Sequence, residues 1–285
     1  MFHLNVEESV TRKSPPLRHS IVPAEEKKLN DERKPLVSVI VPAFNSERHI
    51  NQALDSVLAQ SMPDLEVLVV DDASRDRTLA LAQERAAADP RVQVLAQPAN
   101  RGVAQARNLA LARARGRYIA YLDADDQWAP RKLERQIAFM SARGLAACIA
   151  SYETIEEDGA HRNYVHVPES IGYSEFLKNT LTCTLTILFD TERVDPGLLV
   201  MPDLRRGQDA ATWLQVMKRG YRIYGLDECL AKYRKTAGSL SSDKVKAVKR
   251  TWNLYRNVEG ISRSYAAYCL SWQLFHAALK RRKGK

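Results

Sequence analysis

VSVIVPAFNSERHINQALDSVLAQSMPDLEVLVVDDAS, residues 37–74, is the stretch on which the reading of the fold turns. Residues 37–41 are a short apolar, β-branched run bounded by Pro42-Ala43-Phe44-Asn45, the pattern of a strand buried on both faces. Ser46 can cap a helix that carries Ile50, Ala53, Leu54, Val57 and Leu58 on one face at i, i+3, i+4, i+7 and i+8, and Met62-Pro63 ends it. Residues 65–70 form a second buried strand, closed by the polar turn Asp71-Asp72-Ala73-Ser74.

The same alternation continues outward. An Ala- and Leu-rich helix runs to about Ala88 and breaks at Asp89-Pro90, and residues 92–95 are a third strand. Asn100-Arg101-Gly102 leads into an Ala-rich helix stopped by Gly116, and residues 118–122 are a fourth strand followed by Asp123-Ala124-Asp125-Asp126. Strands alternating with helices imply a right-handed, mostly parallel sheet flanked by helices, and open α/β sheets bind ligands beyond the carboxyl ends of their strands. Asn45, Asp71, Asp72, Asn100, Gly102, Asp123 and Asp125 all follow such ends. Further on, the pattern predicts a helix over 132–142, an apolar run at 145–150, a hairpin-like stretch to about 167, a helix at 173–181 and a strand at 184–189. A helix over 209–219 ends at Gly220, and a strand or turn begins at Ile223.

The chain has 285 residues, 45% hydrophobic and 27% charged, enough for a sizeable core. Cys148, Cys183, Cys229 and Cys269 are far apart, which argues against a zinc ribbon, a redox pair or a disulfide scaffold and fits a reducing cytoplasm. Neither a signal peptide nor a membrane-spanning run is expected. Residues 1–34 read as a flexible arm, 35–245 as the α/β domain and 246–285 as a basic helical tail. Residues 243–285 carry eleven Lys or Arg against two Asp or Glu, leaving 32 basic and 32 acidic residues in 1–242. The net +9 is therefore the tail's.

Asp123-x-Asp125 after an apolar strand offers hard oxygen ligands suited to Mg²⁺ or Mn²⁺, although a D-x-D alone is also a common turn. Asp72, one loop away, can accept from a base N–H or a ribose hydroxyl, or serve a helix cap. No G-x-G-x-x-G follows the first strand and no G-x-x-x-x-G-K-[ST] occurs, which disfavours a dinucleotide dehydrogenase and a P-loop NTPase.

Taken together, VSVIVPAFN (37–45), VVDDASRDRT (69–78), NRGVAQARNLA (100–110), GRYIAYLDADD (116–126) and the segment 201–244 resemble the inverting family 2 glycosyltransferases of the GT-A fold, over roughly residues 36–256. The second half is most similar to bacterial enzymes of teichuronic acid, O-antigen and capsule synthesis. The resemblance implies that Pro42, Ala43 and Asn45 line a nucleotide pocket and that Asp72 bonds uracil. It implies that Arg107 lies near the base or diphosphate, and that Asp123, Ala124 and Asp125 form the metal and nucleotide-sugar site, Asp125 making the direct metal contact. Asp209 falls where the family has its catalytic base. Gln208 stands where the family usually has Glu, and residues 233–239 lack a His common there, so Arg234 or Lys235 is expected at the diphosphate. Trp128 and Gln208 are further candidate acceptor contacts.

The resemblance implies transfer of glucose or galactose from a UDP-sugar, with Mn²⁺ or Mg²⁺, to a lipid-linked, undecaprenyl-diphosphate-type glycan precursor. A base with no carboxylate nucleophile predicts inversion to a β-linked product. The alternative is a non-catalytic nucleotide-sugar-binding scaffold. In the tail, Tyr265, Tyr268, Trp272, Phe275 and Leu279 form one helical stripe among cations. The stripe suits an amphipathic helix on the anionic inner face of the cytoplasmic membrane, or a helix packed on the catalytic domain. No nucleic-acid motif accompanies the charge.

Overall fold

The computed structural model describes residues 34–180, 184–235 and 244–283. The expected arm at 1–34 lies outside the described residues except for Lys34, as do Cys183 and the segment 236–243. Pro35–Lys285 forms one compact unit.

The first half follows the alternation of the sequence. Strands β1 (Val37–Ala43), β2 (Leu65–Asp71), β3 (Val92–Ala96) and β4 (Tyr118–Tyr121) pair in parallel in the order β3-β2-β1-β4. Helices α1 (Ile50–Leu58), α2 (Thr78–Ala88) and α3 (Val103–Leu111) connect them. Every residue of β1 and β2 is buried, as a sheet covered on both faces requires. Ser46 does not cap α1 with its side chain. Its carbonyl accepts from His49 and Ile50 in a turn that precedes the helix, and its hydroxyl donates to the Phe44 carbonyl at 3.2 Å.

Beyond β4 the sheet becomes mixed. β9 (Leu188–Asp190) enters antiparallel between β4 and β6 (Ala147–Ile155), and β6 pairs in parallel with the long β10 (Ile223–Arg234). The expected hairpin is present as β6 and β7 (His161–Val165). Short strands β5 (Gln127–Trp128) and β8 (Ser170–Ile171) both pair antiparallel with β10. The strand expected at 184–189 shrinks to β9; residues 184–186 form a turn whose Leu185 and Thr186 carbonyls accept from the Trp128 and Gln136 side chains instead of a neighbouring strand. Helix α4 (Lys132–Arg143) precedes β6, α5 (Tyr173–Lys178) follows β8, and α6 (Gln208–Lys218) precedes β10.

The tail is two helices rather than one. α7 (Lys244–Asn253) runs through a π turn at Leu254–Val258, the chain reverses at Gly260 with φ +67°, and α8 (Arg263–Lys283) follows. Leu254, Tyr255, Ala266 and Cys269 are buried in the same core as Phe176, Phe189 and Trp213. The tail is thus part of the folded body.

Inside the other core layer, the fully buried Lys132 places Nζ 3.9 Å from the centre of the Trp128 ring. Burial pushes its ammonium down to about 7. The unfolded chain keeps that charge to a far higher pH, so Lys132 costs stability fully below pH 7 and less as pH rises from 7 toward its ordinary range. K132M is expected to raise the melting temperature most at pH 6–7, with the gain over wild type shrinking by pH 9. A gain independent of pH would contradict this account.

Candidate functional site

The carboxyl edge of the parallel half carries the acids. Asp123 and Asp125 follow β4, and Asp209 lies in the first turn of α6. Two cavities of about 590 Å³ each meet at this edge. The first is bounded by Pro42, Asn45, Asp76, Glu157 and the 123–125 turn. The second shares Asp123 and Asp125 and extends to Gln208 and Asp209. The structure therefore brings Pro42, Asn45, Asp123, Ala124, Asp125, Gln208 and Asp209 to one continuous groove.

The loops of the first cavity are tied to one another. Asn45 accepts a bond from the Arg75 backbone at 2.9 Å through Oδ1, and its own N–H donates to Ser74 Oγ at 3.0 Å. Asn45 and Ala73 both adopt positive φ, at 49° and 59°. Asn accepts that conformation readily, whereas Ala stores strain of about 1 kcal/mol beside the site. Ala43 is buried and contributes its carbonyl to the Asp72 N–H. Asp72 is also buried, and its two oxygens accept from the Arg101 and Gly102 backbones at 2.7 and 2.8 Å. It braces the loop before α3 and does not line either cavity.

Arg107 is buried beneath the acids. Its Nη2 is hydrogen-bonded to Asp123 Oδ1, Nη1 reaches Met201 Sδ at 3.9 Å, and the guanidinium faces the Tyr121 ring. Burial works against its charge, but Asp123 and then Asp209 more than offset that, so its pKa is raised. It is therefore placed as a counter-charge to the two acids, not in the first cavity. Asp209 accepts from Thr184 Oγ1 at 3.0 Å and from the Ala210 N–H at 2.8 Å. Those bonds orient the carboxylate toward the second cavity. Gln208 is 7% exposed, and its Oε1 has no partner among the described residues.

Asp125 is pushed up to about 6, by burial first and by Asp123 second. Asp126 is also raised well above the usual carboxylate range, by burial and then by Asp125 and Asp123, and it accepts the Arg234 N–H at 2.8 Å. Two oxygen-bearing acids on one turn, one reluctant to ionise beside the other, form a donor set that a hard divalent cation would relieve. Among the described residues no three His, Cys, Asp or Glu side chains converge as a closed metal cage.

The other expected contacts lie elsewhere. Arg234 is 4% exposed and donates to the carbonyls of Asp125 at 3.1 Å and Glu157 at 2.8 Å and to Gln52 Oε1 at 2.9 Å. It fastens the D-x-D turn to the β6–β7 hairpin from behind. The Lys235 N–H pairs with Ile155, and its side chain lines neither cavity. Trp128 is buried, with Nε1 donating to the Leu185 carbonyl at 2.7 Å. Glu157, Arg205 and Arg206 line the groove and Thr184 bonds Asp209, none of them a site candidate from sequence, and Arg250, expected only as a cation of the tail, lines the second cavity. For Arg205 and Arg206 the signal was their place in the run Arg205-Arg206-Gly207-Gln208-Asp209.

The sequence profile of the family described as "Glycosyl transferase family 2" matches residues 38–194. TuaG of Bacillus subtilis (strain 168), named for teichuronic acid biosynthesis, is 43% identical over 249 residues, spanning 87% of this chain and 98% of TuaG. WfgD of Escherichia coli, named a UDP-Glc:alpha-D-GlcNAc-diphosphoundecaprenol beta-1,3-glucosyltransferase, is 35% identical over 220 residues, 77% of this chain and 85% of WfgD. Among solved structures, S. aureus TarS 1–349 in complex with UDP-GlcNAc shares the fold with a TM-score of 0.65 at 24% identity, covering 85% of this chain and 72% of that one. The mannosyltransferase PcManGT from Pyrobaculum calidifontis, in complex with GDP-Man and Mn²⁺, gives 0.58 at 20% identity, covering 87% and 76%.

Removing the Arg234 fork takes the donor from the Asp125 and Glu157 carbonyls and from Gln52 Oε1 at once. R234A is expected to cost about 2–4 kcal/mol in chemical denaturation. R234K is expected to recover less than half, because an ammonium cannot span the same acceptors. Full recovery by lysine would show that charge, not the fork, matters.

Proposed function

The chain belongs to glycosyl transferase family 2 and has the GT-A fold, and from that premise we propose that it moves a hexose, glucose or galactose, from a UDP-sugar to a lipid-linked, undecaprenyl-diphosphate-type precursor of a bacterial surface polysaccharide, inverting to a β linkage. The observation that carries this reading is the groove itself. Asp123 and Asp125 belong to both cavities, and Asp209 lines only the second. A donor in the first cavity would thus present its anomeric carbon across the D-x-D turn to an acceptor beside Asp209. The names of TuaG and WfgD support the substrate class.

In this reading Pro42, Asn45 and the turn they form receive the nucleotide. Asp125, with Asp123, would hold Mn²⁺ or Mg²⁺, which supplies charge neutralisation for the leaving diphosphate. Asp209 takes the proton of the acceptor hydroxyl as its oxygen bonds to the anomeric carbon and the carbon–diphosphate bond breaks on the opposite side. Arg107 keeps Asp123 and Asp209 compatible at close range, and Thr184 holds the base in orientation.

D209N keeps the size and removes the base. UDP release from a UDP-hexose with a GlcNAc-diphosphate-lipid analogue is expected to fall roughly a hundredfold to ten-thousandfold. UDP affinity is expected to stay within about twofold of wild type. Unchanged turnover would remove Asp209 from the chemistry, and a wild type that binds UDP without turnover on any donor would favour a nucleotide-sugar-binding scaffold.

Peripheral attachment to the inner membrane face is part of the same proposal. No helix among the described residues is long and apolar enough to cross a membrane. On α8, Tyr268, Trp272 and Phe275 are 46%, 38% and 52% exposed and contact one another in series, while Ala266 and Cys269 on the other face are buried. An exposed aromatic ridge on a strongly basic segment suits an anionic bilayer. In flotation with anionic vesicles, wild type is expected to rise with the lipid and the full-length Y268S/W272S/F275S variant to remain in solution. Equal flotation of the two would rule out the ridge as the attachment point.

A further inference from the structure

The second cavity has a charge pattern that the transfer step itself does not use. Arg205 and Arg206 lie on the loop before α6, and Arg250 projects from α7 across that loop. A Cβ at Gly207, where φ is +80°, would lie 3.8 Å from both Cγ and Cδ of Arg250. All three arginines line the cavity with Asp209. Several arginines outside the groove are matched to acids: Arg91 to Asp89, Arg115 to Glu66, Arg117 to Asp190, Arg135 to Glu228. Among the described residues, Arg205, Arg206 and Arg250 have no such partner. Of the three acids that line the same cavity, Asp123 is engaged by Arg107 and Asp209 by Thr184 and the Ala210 N–H, while Asp125 belongs to the D-x-D turn and is paired with none of the three arginines.

Three like charges around one cavity repel unless an anion joins them. Guanidinium groups bind phosphate oxygens in pairs, so the matching ligand is a phosphate ester with several oxygens. The wall that carries Arg250 is fixed. Gln273 Nε2 donates to the Leu177 carbonyl at 3.1 Å and to Tyr255 Oη at 2.8 Å, and it also bonds Thr180 Oγ1. Tyr255 and Leu254 are buried beside it. Thr180, Thr251 and Gln273 add neutral polar groups to the lining, and the unpartnered Gln208 Oε1 can accept from a hydroxyl.

We propose that Arg205, Arg206 and Arg250 bind the diphosphate of the acceptor, so that the two tail helices form the wall of the acceptor site. The proposal rests on the diphosphate-linked acceptor inferred above. The donor's diphosphate belongs to the D-x-D turn. An acceptor sugar with its hydroxyl at Asp209 carries its anomeric diphosphate one ring away, and Arg205 and Arg206 precede Asp209 by only four and three residues.

The test is calorimetric binding to the full chain saturated with UDP and Mn²⁺, so that the donor site is filled and no turnover occurs. The probes are an alkyl diphosphate of N-acetylglucosamine and the uncharged alkyl glycoside of the same sugar. Wild type is expected to bind the diphosphate at least about tenfold more tightly. R250A and R205A/R206A are expected to close most of that gap, R250K to recover part of it, and UDP affinity and melting temperature to remain near wild type. Equal binding of the two probes by wild type would overturn the proposal. So would variants that lose UDP affinity by the same factor as diphosphate affinity, since the arginines would then serve the donor. A chain that selects the diphosphate but turns over no donor would sink the transferase reading and leave this site standing.

Discussion

Crowding carboxylates at one sheet edge is the constraint on which this structure depends, and a buried guanidinium makes it tenable. Asp123, Asp125 and Asp126 follow one another within four residues, and Asp209 arrives from a separate helix. Left alone, such a group would repel or protonate. Arg107 lies beneath Asp123 and within the field of Asp209. The next residue, Asn108, exchanges two hydrogen bonds of 2.8 Å with the Met201 backbone. One turn of α3 thereby fixes both the D-x-D acid and the chain that leads into α6. The separation between the metal-type site and the base is set by that turn, and a mutation there would disturb chemistry without touching substrate.

Arg234 answers the same constraint from the other side. It is the last residue of β10, and its guanidinium bonds the carbonyls of Asp125 in the turn and of Glu157 in the hairpin, not the Asp123 or Asp125 carboxylates. The second half of the sheet is therefore required to shape the 123–125 turn. Asp126, raised by burial and by its neighbours, closes this attachment through the Arg234 N–H.

The parallel half was legible because strands buried on both faces are continuous apolar runs, and because the residues after them fall on one edge by topology alone. Asn45, Asp123 and Asp125 could be placed that way, whereas Pro42 and Asp209 were implied only by the resemblance to the family. The roles of Arg107, Arg234 and Trp128 could not. Which side of an Ala-rich helix faces the acids depends on packing against β1 and β2, and whether an arginine at a strand end points into a cavity or behind it depends on the non-local β6–β10 pairing. Trp128 reads as a surface aromatic near a motif until β10 and α4 cover it. The tail shows the same limit in a sharper form. Its aromatic stripe was readable, but the small residues Ala266 and Cys269 on the opposite face, which let α8 approach the body, carry little signal in a sequence.

That approach gives the tail a double relation to the groove. Tyr255 and Gln273, one from each side of the reversal at Gly260, meet at the end of α5 and lock the two helices to the catalytic body. The locked pair turns Thr251, Leu254 and Gln273 toward the second cavity and leaves Trp272 and Phe275 outward. A ligand with a polar head and a long apolar chain meets both requirements at once, because its head needs a walled, charged pocket and its chain stays in a bilayer beside it. On the proposed reading, the basic charge concentrated in residues 243–285 serves both ends of such an acceptor. A free, water-soluble acceptor would give the exposed ridge nothing to bind, so the coupling of pocket wall and ridge in one rigid helix pair is itself an argument for a substrate presented at a surface.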